Sequence, residues 1–179
     1  MIILVGASAS GKTEVCKELC KTYHYKKFVT TTTREKRVNE VDGVDYFFVD
    51  KDKFIEKIKN NDFIEYTKYD GNYYGSEKKE INDNSVIIVD PLGLKAFNTI
   101  KNKRFISYYL ECDDNVRKER MIKRGDSIEK INERLKFDKE KFNLNLVNTT
   151  YQINTTNKSI KEIACFINKT YKTMLSSLN

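Results

Sequence analysis

Residues 6–13 read Gly6-Ala7-Ser8-Ala9-Ser10-Gly11-Lys12-Thr13, an ungapped match to G-x-x-x-x-G-K-[ST]. A short apolar run, Met1 to Val5, precedes it. The segment after it, Thr13–Thr22, puts Val15, Cys16, Leu19 and Cys20 on one helical face. A buried strand, a glycine-bounded turn and a helix, in that order, gather backbone N–H groups and a helix N-terminus around one concavity. The glycines let the backbone turn inward. Lys12 is then within reach of the β- and γ-phosphates of a nucleoside triphosphate, and the Thr13 hydroxyl is a ligand for Mg²⁺. All eight residues, Gly6, Ala7, Ser8, Ala9, Ser10, Gly11, Lys12 and Thr13, are candidate triphosphate contacts. The motif selects a nucleoside triphosphate but no particular reaction. No N-K-x-D motif of the guanine-reading GTPase kind is present, and the chain is short for a motor.

Working outward, apolar runs alternate with amphipathic stretches. Strands are expected at Phe28–Thr30, Tyr46–Val49, Asp62–Tyr69, Ser85–Asp90, Phe105–Glu111 and Tyr151–Ile153. Helices are expected at Lys51–Lys59, Leu92–Lys101, Asp113–Lys123, Ser127–Phe142 and Lys158–Leu175. Strands that look buried on both faces, alternating with helices, indicate an α/β fold with a parallel core sheet. Residues 33–79 break the rhythm, being rich in strand and aromatic character, and read as a small mixed insertion. The expectation is one domain over 1–179, with a core of 1–32 and 80–179.

Composition narrows the chemistry. With 179 residues the chain can bury a core and carry a cleft. His24 is the single histidine and tryptophan is absent, so a catalytic triad or a His-rich zinc site is not expected. The four cysteines, Cys16, Cys20, Cys112 and Cys165, form no C-x-x-C pair and read as buried apolar residues. The net charge of +7 comes from 26 lysines and 7 arginines against 26 acids. In so Lys-rich a chain it does not by itself point to nucleic acid, whereas the scarce arginines are informative. No apolar run is long enough to span a membrane, and no export signal is read at the start, so no membrane partner and a cytoplasmic location are expected.

Two further segments carry a resemblance. The first is Thr30-Thr31-Thr32-Thr33-Arg34-Glu35-Lys36-Arg37-Val38-Asn39-Glu40-Val41-Asp42-Gly43-Val44-Asp45-Tyr46. The second is Phe63-Ile64-Glu65-Tyr66 followed by Gly71-Asn72-Tyr73-Tyr74-Gly75-Ser76. With the phosphate loop they resemble the guanylate kinase family, from Ile2 to about Asn154. The resemblance implies a P-loop three-layer fold with an acceptor-binding insertion (33–79) and a helical lid (about 122–140). It implies transfer of the γ-phosphate of ATP, with Mg²⁺, to GMP or dGMP. By that resemblance Arg34, Arg37, Tyr46 and Tyr74 would hold the acceptor phosphate, which suits the fork geometry of arginine. Thr30, Glu65, Ser76 and Asp90 would hold the guanine, Glu65 accepting from a donor pair that adenine lacks. Tyr73 reads as packing. Arg120, Arg124 and Arg134 would be lid arginines that neutralise the transferring phosphoryl group. Asn154 would lie near the adenine. Nucleotides are the implied partners, with the chain a monomer or homodimer.

The sequence also departs from the family pattern. Ile88 stands where an acid is usual, two residues before Asp90. The lid is about one residue short, Asn154-Thr155 replaces an asparagine–acid pair, and the Asp90-Pro91-Leu92-Gly93 turn is unusual. Alternative readings are a catalytically silent binding module or a kinase of the same fold for another phosphorylated acceptor. For the lid arginines the alternative is a charged helix face paired with Glu119, Glu129 and Glu133.

Overall fold

The structure, a computed structural model, describes residues 1–36, 38, 40–69, 71–100, 104–142 and 147–177. The chain runs β1 (Ile2–Val5), α1 (Lys12–Tyr23), β2 (Lys26–Lys27), β3 (Thr31–Thr32), β4 (Phe47–Phe48), α2 (Lys51–Lys59), β5 (Phe63–Tyr69) and β6 (Asn72–Glu77). After a 3-10 turn at Lys78–Glu80 come β7 (Ser85–Ile88), α3 (Pro91–Asn98), β8 (Ile106–Glu111), α4 (Asp114–Lys123), α5 (Ile128–Lys141), β9 (Tyr151–Asn154) and α6 (Ile160–Ser177).

The core sheet is parallel throughout, in the order β2-β7-β1-β8-β9. β1 is central and wholly buried, which is why its sequence is a continuous apolar run. Side chains alternate along the strand. Ile2 and Leu4 join Val15, Leu19, Ile163 and Ile167 of α1 and α6 on one face. Met1, Ile3 and Val5 join Leu94 and Phe97 of α3 on the other. Three layers result. Later strands add on both sides of β1, and ligands of open parallel sheets gather beyond the carboxyl ends at such a reversal. The glycine-bounded turn leaves β1 there.

A second sheet, in the order β4-β3-β6-β5, is mixed. β3 is parallel to β4 and antiparallel to β6, and β6 is antiparallel to β5. Helix α2 covers it through Phe54, fully buried, whose ring stacks on Phe63 at 4.5 Å and on Tyr73 at 5.4 Å. Tyr73 is thus a packing residue. Helix α2 has the expected bounds because Asp50 caps it, accepting from the Lys53 N–H at 2.7 Å.

Two expectations shift. Phe28–Thr30 is not a strand but the crossing between the sheets: Phe28 N–H still donates to Val86 O, while Thr30 O accepts from Phe47 N–H. The second sheet then begins at Thr31, because Thr31 and Thr32 pair with β4 and β6. A run of threonines carries no apolar periodicity to mark that change. The cysteine reading holds for Cys16, which is buried, whereas Cys165 is exposed. Among the described residues no helix is long and apolar enough to cross a membrane.

Gly75 lies under the aromatic stack: an added Cβ would come within 2.7 Å of Phe63 Cδ1 and 3.0 Å of Phe54 Cζ. Gly75→Ala is expected to lower unfolding free energy by about 1–3 kcal/mol, read from the midpoint of urea denaturation. An unchanged midpoint would contradict this packing.

Candidate functional site

The phosphate loop is held by backbone geometry. Gly6, Ala9 and Gly11 have φ of 154°, 59° and 102°. At Gly6 a Cβ would lie 2.5 Å from Leu110 O, so no side chain fits between the loop and β8. Helices α2, α3, α4 and α5 are each capped by a side chain, from Asp50, Asp90, Asp113 and Ser127. Helix α1 begins at Gly11 with no side-chain cap. Its first N–H groups and its positive dipole end therefore face the cleft. Lys12 Nζ lies over the loop, donating to Gly6 O at 2.6 Å and Ala7 O at 2.7 Å. Burial pulls its ammonium down to about 8. Ser10 Oγ is buried with no hydrogen-bond partner among the described residues. A chain of phosphate oxygens suits this donor-rich, cationic cradle.

Side chains from α4, from α5 and just after β9 brace the loop from behind. Arg117 of α4 donates from Nε to Ser8 O at 2.7 Å and forms a buried ion pair with Asp138 of α5. Asp138 Oδ2 in turn accepts from Ser8 N–H at 2.9 Å. Thr155 Oγ1 donates to Ser10 O at 3.0 Å and lies 2.8 Å from Glu111 O. Arg120 donates to Ala9 O at 3.1 Å and Thr155 O at 3.4 Å. In sequence, Arg117 and Asp138 are two more charges on polar helices. Their burial, both 4% exposed, is a tertiary fact. Asn154, expected near a base, is exposed, and its Oδ1 accepts from Thr156 N–H.

Opposite the loop, Thr30, Glu65, Tyr74, Ser76 and Asp90 line one cleft of ≈ 350 Å³ with Ile88, Leu92 and Gly93. That is within the size range of small-ligand sites. Ser76 Oγ donates to Glu65 Oε1 at 2.6 Å. Burial pushes the Glu65 carboxyl up and the Asp90 charge adds to this, against the Ser76 hydrogen bond. Thr30 and Ile88 also line an adjoining cleft of ≈ 330 Å³ with Thr13 and Tyr46. Thr13 is shared in turn with a third cleft of ≈ 260 Å³, bounded by Lys12, Arg120 and Arg124. The three clefts share these lining residues and so make up a segmented trough between Glu65 and Lys12.

Arg34 stands beside that trough. Its guanidinium carbon is 5.5 Å from the Tyr46 ring centroid, and the Tyr46 and Tyr74 centroids are 6.1 Å apart. Nη2 donates to Glu40 at 2.6 Å and Nη1 to Glu35 O at 2.7 Å. Arg37, expected in this group, lies outside the described residues. At the junction of α4 and α5, Arg124 and Arg134 share one carboxylate: both donate to Asp126 Oδ2, from Nε of Arg124 at 2.7 Å and from Arg134 at 3.0 Å. Neighbouring arginines hold the Asp126 carboxyl below its ordinary range. The partner is thus Asp126, a residue absent from the expected set of Glu119, Glu129 and Glu133.

Near Ile88, Asp90 is engaged twice, accepting from Gly93 N–H at 2.8 Å and from Lys141 Nζ at 2.6 Å. The described residues contain no group of three or more His, Cys, Asp or Glu able to hold a metal. The donor set therefore fits a Mg²⁺ carried mainly by phosphate oxygens and water, with Thr13 as the protein hydroxyl.

A phosphate cradle at the strand reversal of a parallel sheet, opening into a carboxylate-lined pocket under a second sheet, defines a P-loop nucleotide-binding protein with room for a second small molecule. The guanylate kinase family model matches residues 1–170, and the chain belongs to that family. The guanylate kinase of Clostridium tetani is 37% identical over 136 residues, covering 72% of this chain and 65% of that protein. That of Carboxydothermus hydrogenoformans is 31% identical over 140 residues, covering 73% and 68%. The chain thus spans about two thirds of the length of these curated relatives. A crystal structure of guanylate kinase from Anaplasma phagocytophilum shares the fold, with a TM-score of 0.71 at 24% identity over 97% of this chain and 85% of that one.

The Lys12 value sets a pH dependence. Its charged form complements phosphate, and the free protein loses that charge as pH rises through about 8. Nucleotide triphosphate affinity, measured by equilibrium titration, is expected to be level below that pH and to fall above it. Affinity that rises or stays level above it would place the ammonium outside the phosphate site.

Proposed function

We propose that this chain transfers the γ-phosphate of ATP to GMP or dGMP, giving ADP and GDP or dGDP. The observation that carries the reading is the series of clefts that share Thr30, Ile88 and Thr13 between the Glu65 pocket and Lys12. It leaves room for a purine monophosphate beside room for a triphosphate. In this reading the guanine sits between Glu65, Ser76, Thr30 and Asp90, with the Glu65 carboxylate accepting from guanine N1–H and the N2 amino group. Adenine would leave that buried carboxylate without its donors. The acceptor phosphate sits against Arg34, Arg37, Tyr46 and Tyr74, where guanidinium forks and phenol hydroxyls match its oxygens. The triphosphate lies on Gly6–Thr13, with Lys12 on its terminal phosphates and Asn154 on the adenine side.

No protein nucleophile is required, since phosphoryl transfer depends on alignment and charge neutralisation. Arg120, already fixed to the loop, and Arg124 and Arg134, brought by the lid, supply positive charge where it develops. Mg²⁺, held by the phosphates and the Thr13 hydroxyl, supplies further charge neutralisation at the phosphate oxygens. Closure over the trough excludes water and so limits hydrolysis of ATP.

The deciding experiment is a coupled ADP-release assay with ATP·Mg²⁺ and a panel of GMP, dGMP, AMP, CMP and UMP. Turnover confined to GMP and dGMP is expected. Turnover with another acceptor would relocate the specificity to the Ile88 side of the pocket. No turnover despite ATP binding would make the chain a binding module. In the same assay Arg34→Ala is expected to raise KM for GMP by roughly tenfold or more, the size of one or two charge-assisted hydrogen bonds. KM for ATP should hardly change. An equal rise in both would remove Arg34 from the acceptor site.

A further inference from the structure

Two ionised side chains are buried together behind the phosphate loop, one from each lid helix. Arg117 of α4 and Asp138 of α5 are both 4% exposed. Between them they take every backbone polar group of Ser8. Asp138 Oδ2 accepts from Ser8 N–H at 2.9 Å, and Arg117 Nε donates to Ser8 O at 2.7 Å. Asp138 Oδ1 lies 3.4 Å from Ser8 Oγ, and Arg117 Nη1 donates to Asp114 at 2.7 Å. The described chain contains no cis peptide, so across the Ser8–Ala9 bond the C=O and N–H are antiparallel. With the carbonyl drawn toward Arg117, the Ala9 N–H is turned away from it. Ala9 itself, at φ 59°, lines the cleft that contains Lys12, Gly11 and Thr13. A non-glycine residue holds that left-handed conformation only where its surroundings fix it.

We propose that Arg117 and Asp138 are positioning residues for the triphosphate, fixing the Ser8 peptide so that the Ala9 N–H is presented to the phosphate chain. This rests on the ATP-binding reading above. Neither side chain touches the trough between Glu65 and Lys12; both act through the loop backbone. The arrangement also references the lid to the loop. Arg134 stands one helical turn before Asp138 on α5, so the pair that sets the loop also sets where that arginine begins.

The test compares Asp138→Asn with the double variant Arg117→Met/Asp138→Leu, which replaces a buried ion pair by apolar side chains of similar bulk and tends to preserve stability. Each is measured for thermal melting, for equilibrium ATP binding, and for KM toward ATP and GMP separately. Both variants are expected to weaken ATP binding and raise KM for ATP about tenfold, with KM for GMP within about twofold of wild type. The double variant should melt no lower than Asp138→Asn. A merely structural pair would lower melting without separating the two KM values. Normal ATP affinity in either folded variant, an equal rise in both KM values, or loss of fold in both variants would each overturn the proposal. Failure of the wild-type chain itself to bind ATP would overturn the proposed function and this inference with it. Wild-type binding with unaltered binding by Asp138→Asn would overturn the inference alone.

Discussion

The loop backbone at Gly6 passes so close to β8 that an added Cβ would stand 2.5 Å from Leu110 O and 2.8 Å from Ser10 Oγ. That near contact fixes where the phosphate loop can begin. From it follow the inward turn of residues 6–11, the uncapped start of α1 and the placement of Lys12 over the loop carbonyls. Because β1 and β8 are paired neighbours in the central sheet, the constraint is transmitted by ladder hydrogen bonds rather than by side chains. The rigid element is the sheet, and the site inherits its precision from it.

Charge is distributed around this frame in two distinct ways. At the trough, burial opposes ionisation of the groups that face a ligand: the Lys12 ammonium is pulled down and the Glu65 carboxyl pushed up. Bound phosphate charge would favour the Lys12 ammonium, and N–H donors of a base would favour the Glu65 carboxylate, so ligand binding and ionisation are linked at both ends. Behind the loop, burial is answered within the protein, since Arg117 and Asp138 neutralise each other. Removing one member of such a pair costs about 3–5 kcal/mol, much more than an exposed pair. The shared Asp126 between Arg124 and Arg134 is of the weaker, exposed kind, with both arginines 45% exposed, so it can be exchanged for another anion at small cost.

The alternation of apolar runs made the parallel core legible because β1, β7 and β8 are buried on both faces, and the start of α2 was legible because Asp50 caps it. The phosphate loop was legible because its spacing is dictated by backbone geometry. The clustering of Thr30, Glu65, Tyr74, Ser76 and Asp90 was reached through motif resemblance, since nothing in their local pattern brings them together; register pairing of β5 with β6 places only Glu65, Tyr74 and Ser76 beside one another. Arg117, Asp138 and Lys141 were not legible because charged residues on polar helices look alike until tertiary contacts separate them. The change of sheet at Phe28–Thr30 was hidden for a related reason. Strand propensity says that a segment is extended, not which neighbour it pairs with.

That change of sheet has a consequence for register. The outgoing crossing at residues 28–30 follows β2, and the return precedes β7, its parallel neighbour, with Lys26 N–H bonded to Asn84 O at 2.8 Å beside the return. The covalent attachments of the second sheet thus both join the edge pair β2 and β7 of the core, while the sheets themselves keep separate ladders. The pocket wall bearing Glu65, Tyr74 and Ser76 therefore takes its register from its own sheet and not from the core ladder.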